Sequence, residues 1–174
     1  AYPTVAVGHK DAPALSVLGG FLRNGYLHRS IREQGGAYGG GAGQDSGSAS
    51  FRFFSYRDPR LTETLEDFDK SLEWLKIAEH DEEELEQAIL GVISSIDKPR
   101  SPAGEAKGDY HNILAGRSKE HREGFRAQIL EVTLDDLKNV AEKYLDPSKA
   151  SIGVISQTAN REQLESLGLE VHEL

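Results

Sequence analysis

Arg32 and Tyr38 stand six positions apart in the chain, and their side chains could bind one oxygen atom together. A permanent cation and a neutral hydroxyl donor, aimed at one point, would stabilise a peptide carbonyl as it becomes an oxyanion. Gly35 and Gly36 lie between them and allow the backbone to fold back, so that the two side chains could approach each other. Simpler interpretations stay open, because Arg32 could complement a helix dipole and Tyr38 could fill space in a strand.

The pair is preceded by a predicted helix. Asp11 belongs to the residue types that cap helix N-termini, and residues 35–36 are glycines of the kind that often end a helix. Within this helix Asn24, His28 and Arg32 recur every four positions, which predicts a polar stripe along one face. The stripe does not assign a role to Asn24 or His28.

A β-hairpin is predicted around and after Tyr38. Residues 37–45 and 50–56 have the composition of strands, and the turn signal DSGS at 45–48 joins them. Glycines leave the first strand almost without side chains, which permits another backbone to approach it closely; they are Gly39, Gly40, Gly41 and Gly43.

The rest of the pattern predicts an α+β fold. Residues 4–7 and 150–156 are short apolar runs typical of strands, and residues 169–171 suggest a last strand. Amphipathic helices fill most of the chain between the hairpin and residue 147. We therefore expect a mostly antiparallel sheet with helices packed on one face, in a single domain that spans residues 1–174.

The composition excludes several classes of partner. A formal net charge of -9 argues against nucleic acid, because phosphate binding needs a basic face. No apolar run approaches the roughly 20 residues that span a bilayer, which argues against a membrane partner. The absence of cysteine excludes disulfides and thiolate metal sites.

No self-contained catalytic motif is present in the sequence. The glycine run has neither the Gly-Lys-Ser/Thr of a Walker loop nor the G-x-G-x-x-G spacing of a dinucleotide site. The nearest match to an inverted H-x-x-E-H zinc motif is residues 117–121, where Arg117 stands at the first ligand position and offers a metal no lone pair. A G-x-S-x-G nucleophile motif is also absent. The sequence thus predicts no metal site and no catalysis by this chain alone.

Three segments resemble a known family. The stretch GYLHRSIREQGGAYGGGA at 25–42 resembles the C-terminal half of pitrilysin/insulinase-type zinc metalloproteases, and in particular the presequence-protease branch. The resemblance continues through FRFFSYRDPR at 51–60 and SSIDKPRSPAGEAKGDYHN at 94–112, and it extends over most of the chain.

The resemblance implies an architecture and a role. Such proteases have four related α/β domains in two halves around a closed chamber, and this chain is similar to the last of the four. The zinc site belongs to the N-terminal half, which would be this chain's partner within one polypeptide. The C-terminal half contributes an arginine and a tyrosine that bind the substrate backbone, and by motif position these are Arg32 and Tyr38. The abrupt start and the lack of methionine agree with a fragment.

The implied substrates are unstructured peptides, such as cleaved targeting peptides, in a bacterial cytoplasm or an organelle matrix. The parent would be a zinc-dependent peptidase, and the isolated chain is expected to be inactive. Two alternatives remain: a non-catalytic structural subunit of the same fold, or a peptide-binding module that uses the glycine-rich strand as an edge.

Overall fold

The computed structural model describes residues 1–173. Its strands are β1 (Tyr2–Pro3), β2 (Gly39–Asp45) and β3 (Ser50–Tyr56). The α-helices are α1 (Ala12–Leu22), α2 (Thr62–Ile77), α3 (Glu82–Ile96), α4 (Pro102–Leu114), α5 (Lys119–Leu130), α6 (Leu134–Tyr144) and α7 (Arg161–Ser166). A π-helix (Arg23–Gln34) follows α1 directly, and short 3-10 turns occupy Pro147–Lys149 and Thr158–Asn160.

The sheet is antiparallel, with the strand order β1-β3-β2. β2 pairs with β3 along its whole length, from Gly39 opposite Tyr56 to Asp45 opposite Ser50. β1 pairs with only two residues of β3. Helices account for the remaining elements, so the predicted α+β fold with a mostly antiparallel sheet is confirmed.

The hairpin between β2 and β3 forms where the turn signal predicts it. One oxygen of the Asp45 carboxylate accepts hydrogen bonds from the backbone N–H groups of Gly47 at 2.9 Å and Ser48 at 3.3 Å. The Ser48 side chain and these N–H groups hold the pKa of Asp45 below its ordinary value. An Asx turn of this kind fixes the register of the hairpin that follows Tyr38.

Helix α1 lies at the centre of the core and packs directly on the sheet. Leu15, Leu18 and Leu22 are fully buried, as is Phe51 of β3. The helix reaches the sheet through Gly19, where a Cβ atom would lie 2.6 Å from the Cα of Gly43. The absence of side chains at this contact lets two backbones touch.

The start of α1 differs from the prediction in one respect. Asp11 stands at the N-cap position, but its side chain makes no capping hydrogen bond. Its Oδ2 atom instead accepts from Lys143 Nζ and from the Tyr144 hydroxyl, both at 2.7 Å. Asp11 therefore ties the beginning of α1 to the end of α6.

Three strand predictions are wrong for the described residues. Residues 4–7 lie outside the sheet, because the pairing with β3 uses Tyr2–Pro3 and the chain then turns at Gly8 with φ of +90°. Residues 150–156 and 169–171 form no strand within the structure. A strand needs a hydrogen-bonded neighbour, and apolar composition alone does not supply one.

Candidate functional site

The helix that carries Arg32 is a π-helix of 12 residues, Arg23–Gln34. Helices of this type are rare, are usually limited to one turn, and are frequent at functional sites. Gly25 lets it pack against α2, since a Cβ there would lie 2.3 Å from the Trp74 ring. The sequence predicts a helix over these residues, but nothing in its periodicity indicated this wider geometry.

Two consecutive glycines end the π-helix and reverse the chain. The N–H of Gly36 donates to the carbonyl of Arg32, and the N–H of Ala37 donates to that of Ile31, each at 3.1 Å. Each bond closes a loop one residue wider than in a Schellman motif, in keeping with the π-helix that precedes it, and Gly36 adopts the left-handed conformation with φ of +80°. The turn brings the backbone of Tyr38 next to the last turn that carries Arg32.

Arg32 is exposed and held by its own helix. Its Nη1 atom lies 3.2 Å from Nε2 of His28, and the other ring nitrogen of His28 lies 3.3 Å from Oε1 of Glu33. Arginine can only donate, so Nε2 of His28 must accept and Nδ1 carries the proton toward Glu33. The part of the polar stripe that joins His28 to Arg32 is thus a hydrogen-bonded chain. Asn24 is not in it, because its Oδ1 atom accepts from Arg23 instead.

Tyr38 is 68% exposed and is oriented by its neighbours on the hairpin. Its ring meets that of Tyr56 edge to face, with centroids 6.0 Å apart. The guanidinium of Arg57 lies 5.7 Å from the Tyr38 ring centre and 5.4 Å from that of Tyr56. The N–H of Tyr38 also donates to the carbonyl of Arg57 at 3.3 Å.

The backbone of Arg57 adopts a left-handed conformation. Its φ is +48°, a region that residues other than glycine seldom occupy. Such strain is concentrated at functional sites. Sequence reasoning missed both Arg57 and Tyr56, although counting outward from the DSGS turn would have placed Tyr56 opposite Gly39.

The structure brings Arg32 and Tyr38 to the same end of the hairpin but does not join their side chains. Within residues 1–173, the side-chain contacts of Arg32 are with His28, and those of Tyr38 are with Tyr56 and Arg57. The tyrosine hydroxyl makes no hydrogen bond in the described part of the chain. Both groups therefore remain available to a ligand.

The outer face of the hairpin, which lies away from α1, is bare on one strand and aromatic on the other. Gly39 and Gly41 lie opposite Tyr56 and Phe54, whose side chains are 55% and 53% exposed. A Cβ at Gly39 would have no neighbour within 4 Å, whereas a Cβ at Gly41 would lie 3.1 Å from Cδ of Arg23 and 3.4 Å from the Phe54 ring. An extended peptide could therefore approach the β2 backbone at Gly39, next to the Tyr56 ring.

Arg60 connects the π-helix to α2. Its Nη2 atom donates to the carbonyl of Ser30 at 3.2 Å and to Asp67 Oδ2 at 3.1 Å. Gly35 makes room for it, since a Cβ there would lie 2.0 Å from the same nitrogen. Arg60 ends the segment FRFFSYRDPR, but sequence reasoning gave it no role of its own.

We expect Arg60→Ala to lower the free energy of unfolding by about 1–3 kcal/mol, because it leaves a half-buried carboxylate and a helix carbonyl without their donor. Urea unfolding measures the change. Arg52→Ala is the matched control: it also removes an arginine paired with an aspartate, Asp45, but that pair is exposed and should contribute less than about 1 kcal/mol. Equal losses in the two variants would contradict a supporting role for Arg60.

The described residues contain no group of three or more histidine, cysteine, aspartate or glutamate side chains placed to hold a metal ion. In the stretch 117–121, Ser118 is the N-cap of α5 and its hydroxyl accepts from the N–H of His121 at 3.2 Å. These residues begin a helix. Likewise, no helix within residues 1–173 is both long enough and apolar enough to cross a membrane.

The fold is that of a pitrilysin-type zinc protease domain. A proposed zinc protease from Bordetella pertussis Tohama I superimposes with a TM-score of 0.72 over 90% of this chain and 91% of its own, at 21% identity. Pitrilysin superimposes with a TM-score of 0.57 over 83% of this chain and 16% of its own, at 17% identity. At these identities the similarity establishes the fold alone.

The chain belongs to the family described as the PreP C-terminal domain, whose model matches residues 5–159. The mitochondrial presequence protease of Yarrowia lipolytica is 40% identical over 156 residues, which cover 89% of this chain and 16% of that protein. That of Mus musculus is 38% identical over 151 residues, covering 87% and 14%. The resemblance drawn from the sequence is confirmed, and the chain spans about a sixth of the length of these relatives.

Proposed function

We propose that this chain is the C-terminal domain of a zinc metalloendopeptidase that degrades unstructured peptides, and that it binds the substrate backbone through Arg32 and Tyr38. The observation that carries the proposal is the turn at Gly35 and Gly36, which leaves the Tyr38 phenol and the Arg32 guanidinium exposed at one end of the glycine-rich strand β2. Membership of a family named for presequence proteases supports it.

In this proposal Arg32 and Tyr38 are the two hydrogen-bond donors, and neighbouring side chains orient each of them. Glu33 and His28 hold the guanidinium of Arg32, while Arg57 and Tyr56 hold the ring of Tyr38. Donors fixed before the substrate arrives need no reorganisation when negative charge develops on the carbonyl oxygen, and this makes them effective in water-excluded sites. Gly39 in β2 leaves space for the peptide backbone.

In this proposal the zinc ion lies in the N-terminal half of the full-length protein, as the family resemblance implies. Zinc-dependent peptidases use the ion as a Lewis acid at the scissile carbonyl. This chain would form the last of four related domains and part of a chamber wall. Its relatives are named as mitochondrial proteins, so an organelle matrix is the proposed location.

We expect the isolated 174-residue chain neither to bind zinc stoichiometrically nor to cleave peptides. The full-length protein should cleave an unstructured peptide and should lose that activity to a chelator. Zinc content by atomic absorption and cleavage by mass spectrometry measure the two properties on both proteins. Chelator-sensitive cleavage by the purified chain would show that it carries its own metal site. A full-length protein without activity would favour the structural-subunit alternative.

A further inference from the structure

One edge of the central strand β3 is only partly paired. β1 pairs with residues 50–51 and goes no further along β3. Peptide groups of an antiparallel strand point alternately to its two edges. Those of Phe51 point to β1, so those of Phe53 and Ser55 point the same way, and the structure places no backbone partner opposite them among residues 1–173.

Residues 150–156 form a second edge whose backbone groups are also only partly hydrogen-bonded. The N–H of Ser151 donates to the carbonyl of Ala1 at 2.8 Å, and the Ala1 amine donates back to the Ser151 carbonyl at 2.9 Å. This reciprocal pair is antiparallel. Residues 152–156 make no backbone–backbone hydrogen bond within the described chain. Partial burial, with a smaller effect of Arg52, lowers the pKa of the Ala1 amine.

A slot one strand wide separates these two edges. Ala1 pairs with Ser151 on one side, and Tyr2 pairs with Phe51 of β3 on the other. The two edges therefore stand two strand spacings, or ~9.6 Å, apart. The cavity between them has a volume of about 420 Å³, and apolar side chains of α2, including Leu65 and Phe68, line it. At this distance the two edges cannot hydrogen-bond to each other directly. To do so they would have to give up their pairings with Ala1 and Tyr2.

We propose that a backward extension of β1 fills this slot, supplied by the polypeptide that precedes Ala1 in the full-length protein and antiparallel to both edges. β1 is already in register with β3 on one side and with Ser151 on the other, so its backward continuation enters the slot without a change of direction. The relatives are about six times as long as this chain, and the matching family is described as a C-terminal domain, so we expect most of their additional residues to precede this domain. The sheet then has four strands, and residues 150–156 become the strand that their composition predicts.

The register makes the proposal specific. The first residue before Ala1 lies opposite Phe53 on one side and Ile152 on the other. Phe53 packs against Phe68 of α2, with ring centres 5.2 Å apart, so this face points into the core. Side chains alternate along a strand. The first and third residues before Ala1 are therefore expected to be apolar, whereas the second and fourth face away from the helices.

Amide hydrogen exchange in the full-length protein tests the pairing. Phe54 serves as the internal reference, because its peptide group faces β2 and is already paired with Gly41. We expect the amides of Phe53 and Ser55 to exchange within about tenfold of the Phe54 rate. In the 174-residue chain they should exchange at least about tenfold faster than Phe54.

Fast exchange of Phe53 and Ser55 in the full-length protein would overturn the proposal. Protection that appears only when an unstructured peptide is added would also overturn it, because the slot would then bind substrate and not the preceding chain. The comparison within the full-length protein is sufficient by itself if the shorter chain does not fold.

A pair of proline variants tests the second edge. Gly153→Pro removes an N–H that points into the slot, by alternation from Ser151, whereas Ser156→Pro removes one that points away. In the full-length protein we expect Gly153→Pro to lower the melting temperature of this domain by about 3 °C or more, and Ser156→Pro to leave it within about 1 °C. Equal shifts in the two variants would show that no strand is bound along this edge.

Discussion

Arg32→Ala and Tyr38→Phe are each expected to lower kcat/KM of the full-length protein for an unstructured peptide by tenfold or more, which corresponds to at least about 1.4 kcal/mol of transition-state binding. Under the proposed function, each variant would remove one donor from the oxygen on which charge develops. Loss of a single such donor typically costs about 2.7–4 kcal/mol. Zinc content should equal that of the wild type, because neither residue belongs to a cluster that could hold a metal.

Arg29→Ala is the matched control for Arg32→Ala. Arg29 is exposed on the same π-helix, so its removal changes the net charge equally without touching the turn at Gly35 and Gly36. We expect near wild-type kcat/KM in this variant. If both arginine variants lost activity equally, a general charge effect would explain the result. Wild-type activity in Arg32→Ala and Tyr38→Phe would contradict the proposed role in substrate binding and would leave both residues with structural roles only.

Gly19→Ala has the second large expected effect, and it acts on the stability of the domain. An alanine in the middle of a helix is ordinarily about 1 kcal/mol more favourable than glycine. Here its Cβ would lie 2.6 Å from the Cα of Gly43 and 2.9 Å from the carbonyl oxygen of Ala42, both backbone atoms that cannot rotate away. Overpacking of this kind typically costs about 1–3 kcal/mol. We therefore expect a net loss of stability, measured by urea or thermal unfolding.

Gly91→Ala is the control with the opposite expected sign. Gly91 also lies inside a helix, α3, but it is exposed and an added Cβ would have no neighbour within 4 Å. Only the helix propensity should change, which predicts a gain of about 0.5–1 kcal/mol. If Gly19→Ala stabilised the domain as Gly91→Ala does, the direct contact between α1 and β2 would not exist in solution.

The sequence predicted the hairpin well because its signals are local. Residues 45–48 contain their own turn chemistry, and β3 matches the predicted strand 50–56 at both ends. The glycines between Arg32 and Tyr38 likewise act within one turn of chain. The strand predictions at residues 4–7 and 150–156 failed because a strand requires a hydrogen-bonded partner strand. A local sequence pattern does not show whether such a partner is present.

Part of the candidate site was also beyond sequence reasoning. Arg57 is important through its φ of +48° and its position over two tyrosine rings, which are properties of the folded hairpin. Arg60 supports the carbonyl of Ser30, which lies 30 positions away. The link between His28 and Arg32 follows from helical spacing, whereas the assignment of the two ring nitrogens follows from their contacts with Arg32 and Glu33.

The sequence by itself determined the family, the α+β class and the choice of Arg32 and Tyr38 as candidates, because residue types and short spacings carry that information. Only the tertiary structure decided how the pair is presented. It shows a π-helix that packs on Trp74 through Gly25, and an arginine that bridges two tyrosines. Such features depend on contacts between residues far apart in the chain. A local sequence pattern does not determine the energy of those contacts.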